Sequence, residues 1–386
     1  MVICCRADDM PARFSDVAAM RVDEAKDALP VTPFFSGDGK DGPDGQLIRS
    51  EPASEYELPK GAHATRILYR SRDLRGAPTT ASATVVTPAG QPPAGGWPLL
   101  VWAHGTTGVA RQCAPSTTKS LGYYVPELVG QGFAVVAVDY AGMATDDGGT
   151  EYLTKTSNAL DTINAVPAAQ KAVQQLTQKW IAIGHSQGGL AIWGVAELEA
   201  KRKDPNYIGG VALAPAVGGT PLIRNSGERK GNTFYPVYVA YAVKRLFPQF
   251  QVSDFLTPAA AAHYDELTKS SCFFVAYATF SSIGPGQVFK KGWDTNPYFK
   301  QLMELNRAGT QPVRGPLFIG SGTEDDSVPA NLIEAAVKQQ CKAGGQFSYK
   351  AYPGDHSSMM KSSFPDQMSW IKDRFQGKPA AASACP

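Results

Sequence analysis

The chain has 386 residues, 43% hydrophobic and 19% charged, which is long and apolar enough to bury a sizeable core and unlike a disordered chain. Its 37 basic and 35 acidic residues leave a net charge of +2 with no long Lys/Arg run, which argues against a nucleic-acid partner. No apolar stretch reaches the ~18 residues of a membrane helix, and the apolar run in the opening MVICCRADDM is too short for a signal peptide.

Six cysteines stand at Cys4, Cys5, Cys113, Cys272, Cys341 and Cys385. They form no C-x-x-C pair, so no structural zinc site is expected. The four in the body fit either two disulfides in an oxidising compartment or four buried thiols, and spacing alone leaves both open.

Residues 1–60 are rich in Pro, Gly and Asp with little periodicity, and read as an N-terminal extension wrapping the surface. Within them GDGKDGPDG (37–45) carries Asp38, Asp41 and Asp44 spaced by three, not two, with no closing Glu. That is a solvated turn rather than a calcium loop. From residue 64, ATRILYRSRDLRGAPTTASATVVTP reads as two alternating strands joined by a Gly/Pro turn. Continuous apolar runs follow at 98–105, 133–142, 179–186, 207–217, 315–322 and 347–354, with helix-length segments between most of them. Runs apolar on both faces require cover on both faces, which predicts a mostly parallel sheet with helices on each side and an antiparallel hairpin leading it. About a hundred aromatic-rich residues without a strand pattern separate the fourth and fifth runs. The expected layout is therefore an α/β core over 61–217 and 311–386, with a helical lid or cap inserted over 218–310. An insertion there would sit at the carboxyl edge of the strands, where such sheets bind ligands.

The chemistry starts at GHSQG (184–188), a G-x-S-x-G pattern. It follows the run Trp180-Ile181-Ala182-Ile183 and precedes the helix-like QGGLAIWGVAELEAKRK. Strand, sharp turn and helix are the setting of a nucleophile elbow, and Gly184 and Gly188 would permit the close strand–helix approach. Ser186 then needs a base, and a carboxylate to orient it. Of the five histidines, His63, His104, His185, His263 and His356, only His356 follows a final strand, in YPGDHSS. The acid belongs in TEDDSVP (323–329), where Glu324, Asp325 and Asp326 compete; the spacing Gly322-x-x-Asp325-x-x-Val328-Pro329 resembles the acid loop common in α/β-hydrolases, and that resemblance favours Asp325 over Asp326. His185, beside the nucleophile, is not the expected base. An oxyanion hole would draw one backbone N–H from Gln187 and one from Thr106, in the loop AHGTTG (103–108), where Gly105 lets the backbone approach the substrate.

These motifs make the chain resemble the α/β-hydrolases. HGTTG…CAPS, GHSQGG, DDSVP, PGDHSS and PFFSGDGKDGPDGQLIRSEP together resemble, more narrowly, the secretory lipases of the Candida antarctica lipase A type in their bacterial branch. The resemblance implies an α/β-hydrolase fold, carboxylic ester hydrolysis (EC 3.1.1) with no cofactor or metal, a helical lid before the acid strand, and a secreted or periplasmic protein, with the cytoplasm as the alternative. It also implies disulfides Cys113–Cys272 and Cys341–Cys385. The partner would be a small, lipid or polyester ester, and the apolar insertion points to medium-chain or bulky acyl groups. The rival readings are a peptidase or other acyl transferase using the same triad, and a non-catalytic binding protein of the same fold.

Overall fold

The computed structural model describes residues 12–36, 41–122 and 124–381, with Ser383 and Cys385. Cys4, Cys5 and Asp38 lie outside the described residues; of the other two aspartates in the turn, Asp44 pairs with Arg72 at 2.8 Å.

Among the described residues nine strands form one sheet: β1 (Leu47–Ala53), β2 (His63–Arg72), β3 (Pro78–Thr87), β4 (Trp97–Ala103), β5 (Ala134–Val138), β6 (Leu176–His185), β7 (Tyr207–Leu213), β8 (Val313–Gly322) and β9 (Gly345–Tyr352). Their order is β1-β2-β3-β5-β4-β6-β7-β8-β9. Pairing is antiparallel from β1 through β3 to β5, and parallel from β5 across to β9. Every apolar run read from the sequence becomes a strand. β5 is buried at all five positions because helices cover both its faces. Val135 and Leu100 turn to the side packed by α2 (Tyr124–Gly130) and α12 (Ser358–Phe375). Their neighbours Val136 and Val101 turn to the side of α3 (Lys155–Ala172), α4 (Gln187–Arg202) and α11 (Ala330–Ala343), as the two-residue period of a strand requires.

Two elements in the first sixty residues were not visible as periodicity. β1 joins the sheet as an edge strand beside β2 and carries Pro52, which has no N–H to give a ladder and is tolerated at an edge. α1 (Val17–Asp27) starts at Asp16, whose carboxylate accepts from the N–H groups of Ala18 and Ala19. Its Met20 packs with Val275 and Ala278 of α9 (Phe273–Phe280).

Between β7 and β8 come α5 (Thr220–Glu228), α6 (Tyr235–Leu246), α7 (Pro258–Ala261), α8 (Tyr264–Lys269), α9 and α10 (Pro297–Leu305). The interval contains no strand, only the isolated bridge Leu256–Phe289. The aromatic residues that mark it in sequence make its interior. Phe255 packs edge-on to Phe250, Phe289 and Trp293, and Phe289 stacks on Trp293 at 4.0 Å.

The chain runs from β4 outward to β5, then returns to place β6 on the other side of β4. This reversal opens a crevice at the carboxyl ends of β4 and β6, the usual ligand position in an open α/β sheet.

Candidate active site

Ser186 stands between the last residue of β6 and the first of α4 with φ 57° and ψ −116°, a conformation that side chains other than glycine rarely adopt. Such strain costs about 1–3 kcal/mol and persists only where surroundings enforce it. Here Ser186 N–H donates to Leu213 O at 2.9 Å, and Ser186 O accepts from Leu190 and Ala216, both at 3.0 Å. The flanking glycines are sterically obligatory. A Cβ on Gly184 would come within 2.6 Å of the Gly188 carbonyl, and one on Gly188 would collide with the Ala103 carbonyl of β4. Strand and helix therefore approach more closely than any side chain allows.

His356 lies in the loop between β9 and α12, and Asp325 in the loop after β8. The His356 Nδ1–H donates to Asp325 Oδ2 at 2.7 Å. Asp325 Oδ1 accepts from the Ser327 and Val328 N–H groups at 2.9 and 2.7 Å, so the carboxylate is held by three donors and its side chain is fully buried. Because a carboxylate only accepts, His356 carries a proton on Nδ1, and in the neutral ring Nε2 is the acceptor. Asp326, one residue on, faces outward: its carboxylate is 3.7 Å from Arg229 and its carbonyl accepts from Asn225. Glu324 has its N–H bonded to the Gly354 carbonyl.

Ser186, His356 and Thr106 line one cavity of about 40 Å³, walled by Leu222 and Ile223 of α5, Tyr235 and Val239 of α6, and Tyr152. No hydrogen bond joins Ser186 Oγ to His356 among the described residues. The two meet across the cavity, and such pairs commonly tighten only when substrate binds. Thr106 Oγ1 shares a 2.8 Å hydrogen bond with the Tyr152 hydroxyl. Gly105 packs under the elbow; a Cβ there would stand 3.5 Å from Ser186 Cβ. Gln187 turns its side chain away, donating to Asn158 Oδ1 at 3.2 Å, so only its backbone N–H at the start of α4 remains for the cavity.

Two histidines that are not the expected base have structural work to do. His185 Nε2–H donates to the His356 carbonyl at 2.7 Å, and the two rings lie 4.5 Å apart. Burial, followed by the charge of the neighbouring His356, holds His185 well below the ordinary histidine range. His104, at the end of β4, is pushed down to about 4 by burial. Its carbonyl accepts from the Tyr140 hydroxyl at 2.8 Å. The role of His185 had no signal in the sequence, since its partner is 171 positions away.

Both disulfides implied by the resemblance are present. Cys113–Cys272 ties the segment after the Thr106 loop to the start of α9, and Cys341–Cys385 ties α11 to the C-terminal segment, with Cα separations of 5.4 and 5.9 Å. No group of three or more His, Cys, Asp or Glu able to hold a metal occurs among the described residues, and no helix there is long and apolar enough to cross a membrane.

The chain is 24% identical over 358 residues to a secreted triacylglycerol lipase of Malassezia globosa, covering 85% of this chain and 74% of that protein. It is 23% identical over 358 residues to a probable inactive lipase of Mycobacterium tuberculosis, covering 87% of this chain and 79% of that protein. Its fold matches Candida antarctica lipase A in its closed state with a TM-score of 0.75 at 17% identity, over 92% of this chain and 89% of that one. The family model for secretory lipases matches residues 111–383, well over half of the chain. The protein therefore belongs to the secretory lipase family, within the α/β-hydrolase fold.

Proposed function

We propose that the protein is a serine carboxylic ester hydrolase working through Ser186, His356 and Asp325. The observation that carries this reading is the 2.7 Å Asp325–His356 hydrogen bond behind the cavity that Ser186 lines. His356 Nε2 takes the Ser186 hydroxyl proton as Oγ attacks the ester carbonyl carbon. The carbonyl π electrons move to oxygen, and the oxyanion accepts hydrogen bonds from the N–H groups of Thr106 and Gln187. Asp325 holds the imidazole in the Nδ1–H tautomer and offsets the positive charge it gains. His356 then protonates the leaving alkoxide, the C–O bond breaks, and the acyl group stays on Ser186. Water, deprotonated by His356, attacks that ester, and collapse of the second tetrahedral intermediate releases the acid and returns the proton to Ser186.

Each oxyanion donor lowers this barrier by about 3–4 kcal/mol in comparable enzymes. The two disulfides support an oxidising compartment, which favours secretion or the periplasm over the cytoplasm. The helices over residues 218–310 serve in this reading as a cap, contributing Leu222, Ile223, Tyr235 and Val239 to the cavity wall.

The test is Ser186→Ala on a p-nitrophenyl ester, for which kcat should fall by roughly a million-fold. A variant that keeps most of the hydrolysis sinks the assignment. That loss also separates an enzyme from an inactive homologue of the Mycobacterium kind. Assay of a peptide anilide beside the ester distinguishes an esterase from a peptidase.

A further inference from the structure

Resting on the ester-hydrolase reading, we infer that the helical insertion is a fixed cap, and that it restricts this enzyme to esters of short acyl groups, from acetyl to about butyryl. Two independent sets of observations support this.

The first is volume. The cavity at Ser186 measures about 40 Å³. At roughly 10–15 Å³ per water of such space it holds about three water-sized groups, whereas pockets for larger ligands run to about 300 Å³ or more. Its far wall is built from Leu222, Ile223 and Val239, of which none is more than 6% exposed. Tyr152 closes it further, its ring held from behind by the buried Tyr238, edge to face at 5.7 Å.

The second is attachment. A swinging lid needs a free edge, but both cavity-wall helices are bonded to the core. From the α5–α6 segment, Asn225 and Asn232 donate to the Asp326 carbonyl at 2.7 and 3.3 Å, and Ser327 Oγ–H donates to Asn232 Oδ1 at 3.1 Å. At the far end of α6, Arg245 donates to the carbonyls of Asp147 and Gly149 at 3.3 and 3.2 Å, and Arg75 donates to the Leu246 carbonyl. The start of α9 is held by the Cys113–Cys272 disulfide and by Glu24 of α1, which accepts from Cys272 N–H at 3.1 Å and Val275 N–H at 3.0 Å. Where the insertion returns to the core, Lys155 N–H donates to Asn306 Oδ1 at 2.8 Å. Opening the cap would break these contacts together. The small volume thus acts as the filter, and on this reading the substrates are shorter than the medium chains expected from the apolar insertion: Phe255, Phe289 and Trp293 pack on one another inside the insertion and do not line the cavity.

The experiment uses the disulfide-intact full chain on p-nitrophenyl acetate, butyrate, octanoate and dodecanoate, each below its solubility limit, and on tributyrin across its limit. Expected is a fall in kcat/KM of about 100-fold or more from butyrate to octanoate, because a closed pocket of fixed shape penalises each added methylene. The tributyrin rate should rise smoothly through the solubility limit. Octanoate or dodecanoate turned over as well as butyrate, or a rate jump at the tributyrin interface, overturns the inference. Ile223→Ala should raise the octanoate-to-butyrate ratio by about 10-fold, with Val239→Ala as the second variant should the first not fold. An unchanged ratio in a folded variant overturns the wall assignment. Absence of hydrolysis on every ester is a different result, and removes the hydrolase reading itself.

Discussion

His185 Nε2–H donates a hydrogen bond to the backbone carbonyl of His356 across 2.7 Å, so the residue before the proposed nucleophile holds the loop that carries the proposed base. His185 Nδ1, on the other edge of the ring, lies 3.4 Å from where a Cβ on Gly105 would stand. In the proposed mechanism one imidazole thus spans the nucleophile, base and oxyanion loops, and its buried, neutral state spares His356 a second positive charge nearby when it becomes protonated. His185→Ala should lower kcat by about 10–100-fold, since a shift of about 1 Å in a catalytic group costs that much. KM should change little. His185→Gln, whose amide N–H reaches the same carbonyl, should recover most of the loss. Equal damage from both variants would show that the ring only fills space.

The two adjacent aspartates of the acid loop should separate cleanly. Asp325→Asn keeps the shape but offers an amide donor where a carboxylate accepted, favouring the wrong His356 tautomer, and should cost about 10⁴-fold in kcat. Asp326→Asn removes an exposed carboxylate 3.7 Å from Arg229 and should leave kcat within about twofold. Steady-state kinetics on one soluble ester decides between them, and the reverse ranking would reassign the acid.

The buried histidines also set a pH dependence of stability. His104 is held down to about 4 in the folded chain by burial, against 6.5 for an ordinary histidine. Between those values the unfolded chain binds a proton that the folded chain refuses. The contribution is therefore complete above 6.5 and is lost as pH falls toward 4. His185 shifts in the same direction and adds to the effect. Denaturant unfolding at pH 7.5 and pH 5 should show this loss in the parent protein. His104→Gln should be less stable at both pH values yet lose about 1–2 kcal/mol less between them. An identical pH difference in parent and variant would falsify this account.

Much of the fold was legible because strands buried on both faces need unbroken apolar runs, and AVVAV in β5 or WPLLVWA in β4 can be little else. The glycines of GHSQG marked the elbow because no side chain fits at Gly184 or Gly188. β1 escaped notice for the opposite reason. LIRSEPA is polar, holds a proline, and is a strand because β2 offers a free edge, not because its residues prefer one. The choice between Asp325 and Asp326 rested on loop spacing, but adjacent residues in a turn point in different directions. The N–H groups of Ser327 and Val328, which grip Asp325 Oδ1, are what turn that carboxylate inward.

The sequence by itself determined the family, eight of the nine described strands and the order of the candidates Ser186, Asp325 and His356 along the chain. Each of these is written in local residue type and spacing. Tertiary structure alone decided that His185 braces His356, that α1 and a disulfide hold α9, and that the cavity beside Ser186 is only about 40 Å³. The first two depend on residues more than 150 positions apart that meet only once the sheet has assembled. The third is a small remainder left between packed surfaces, set by every side chain around it and by no single stretch of sequence.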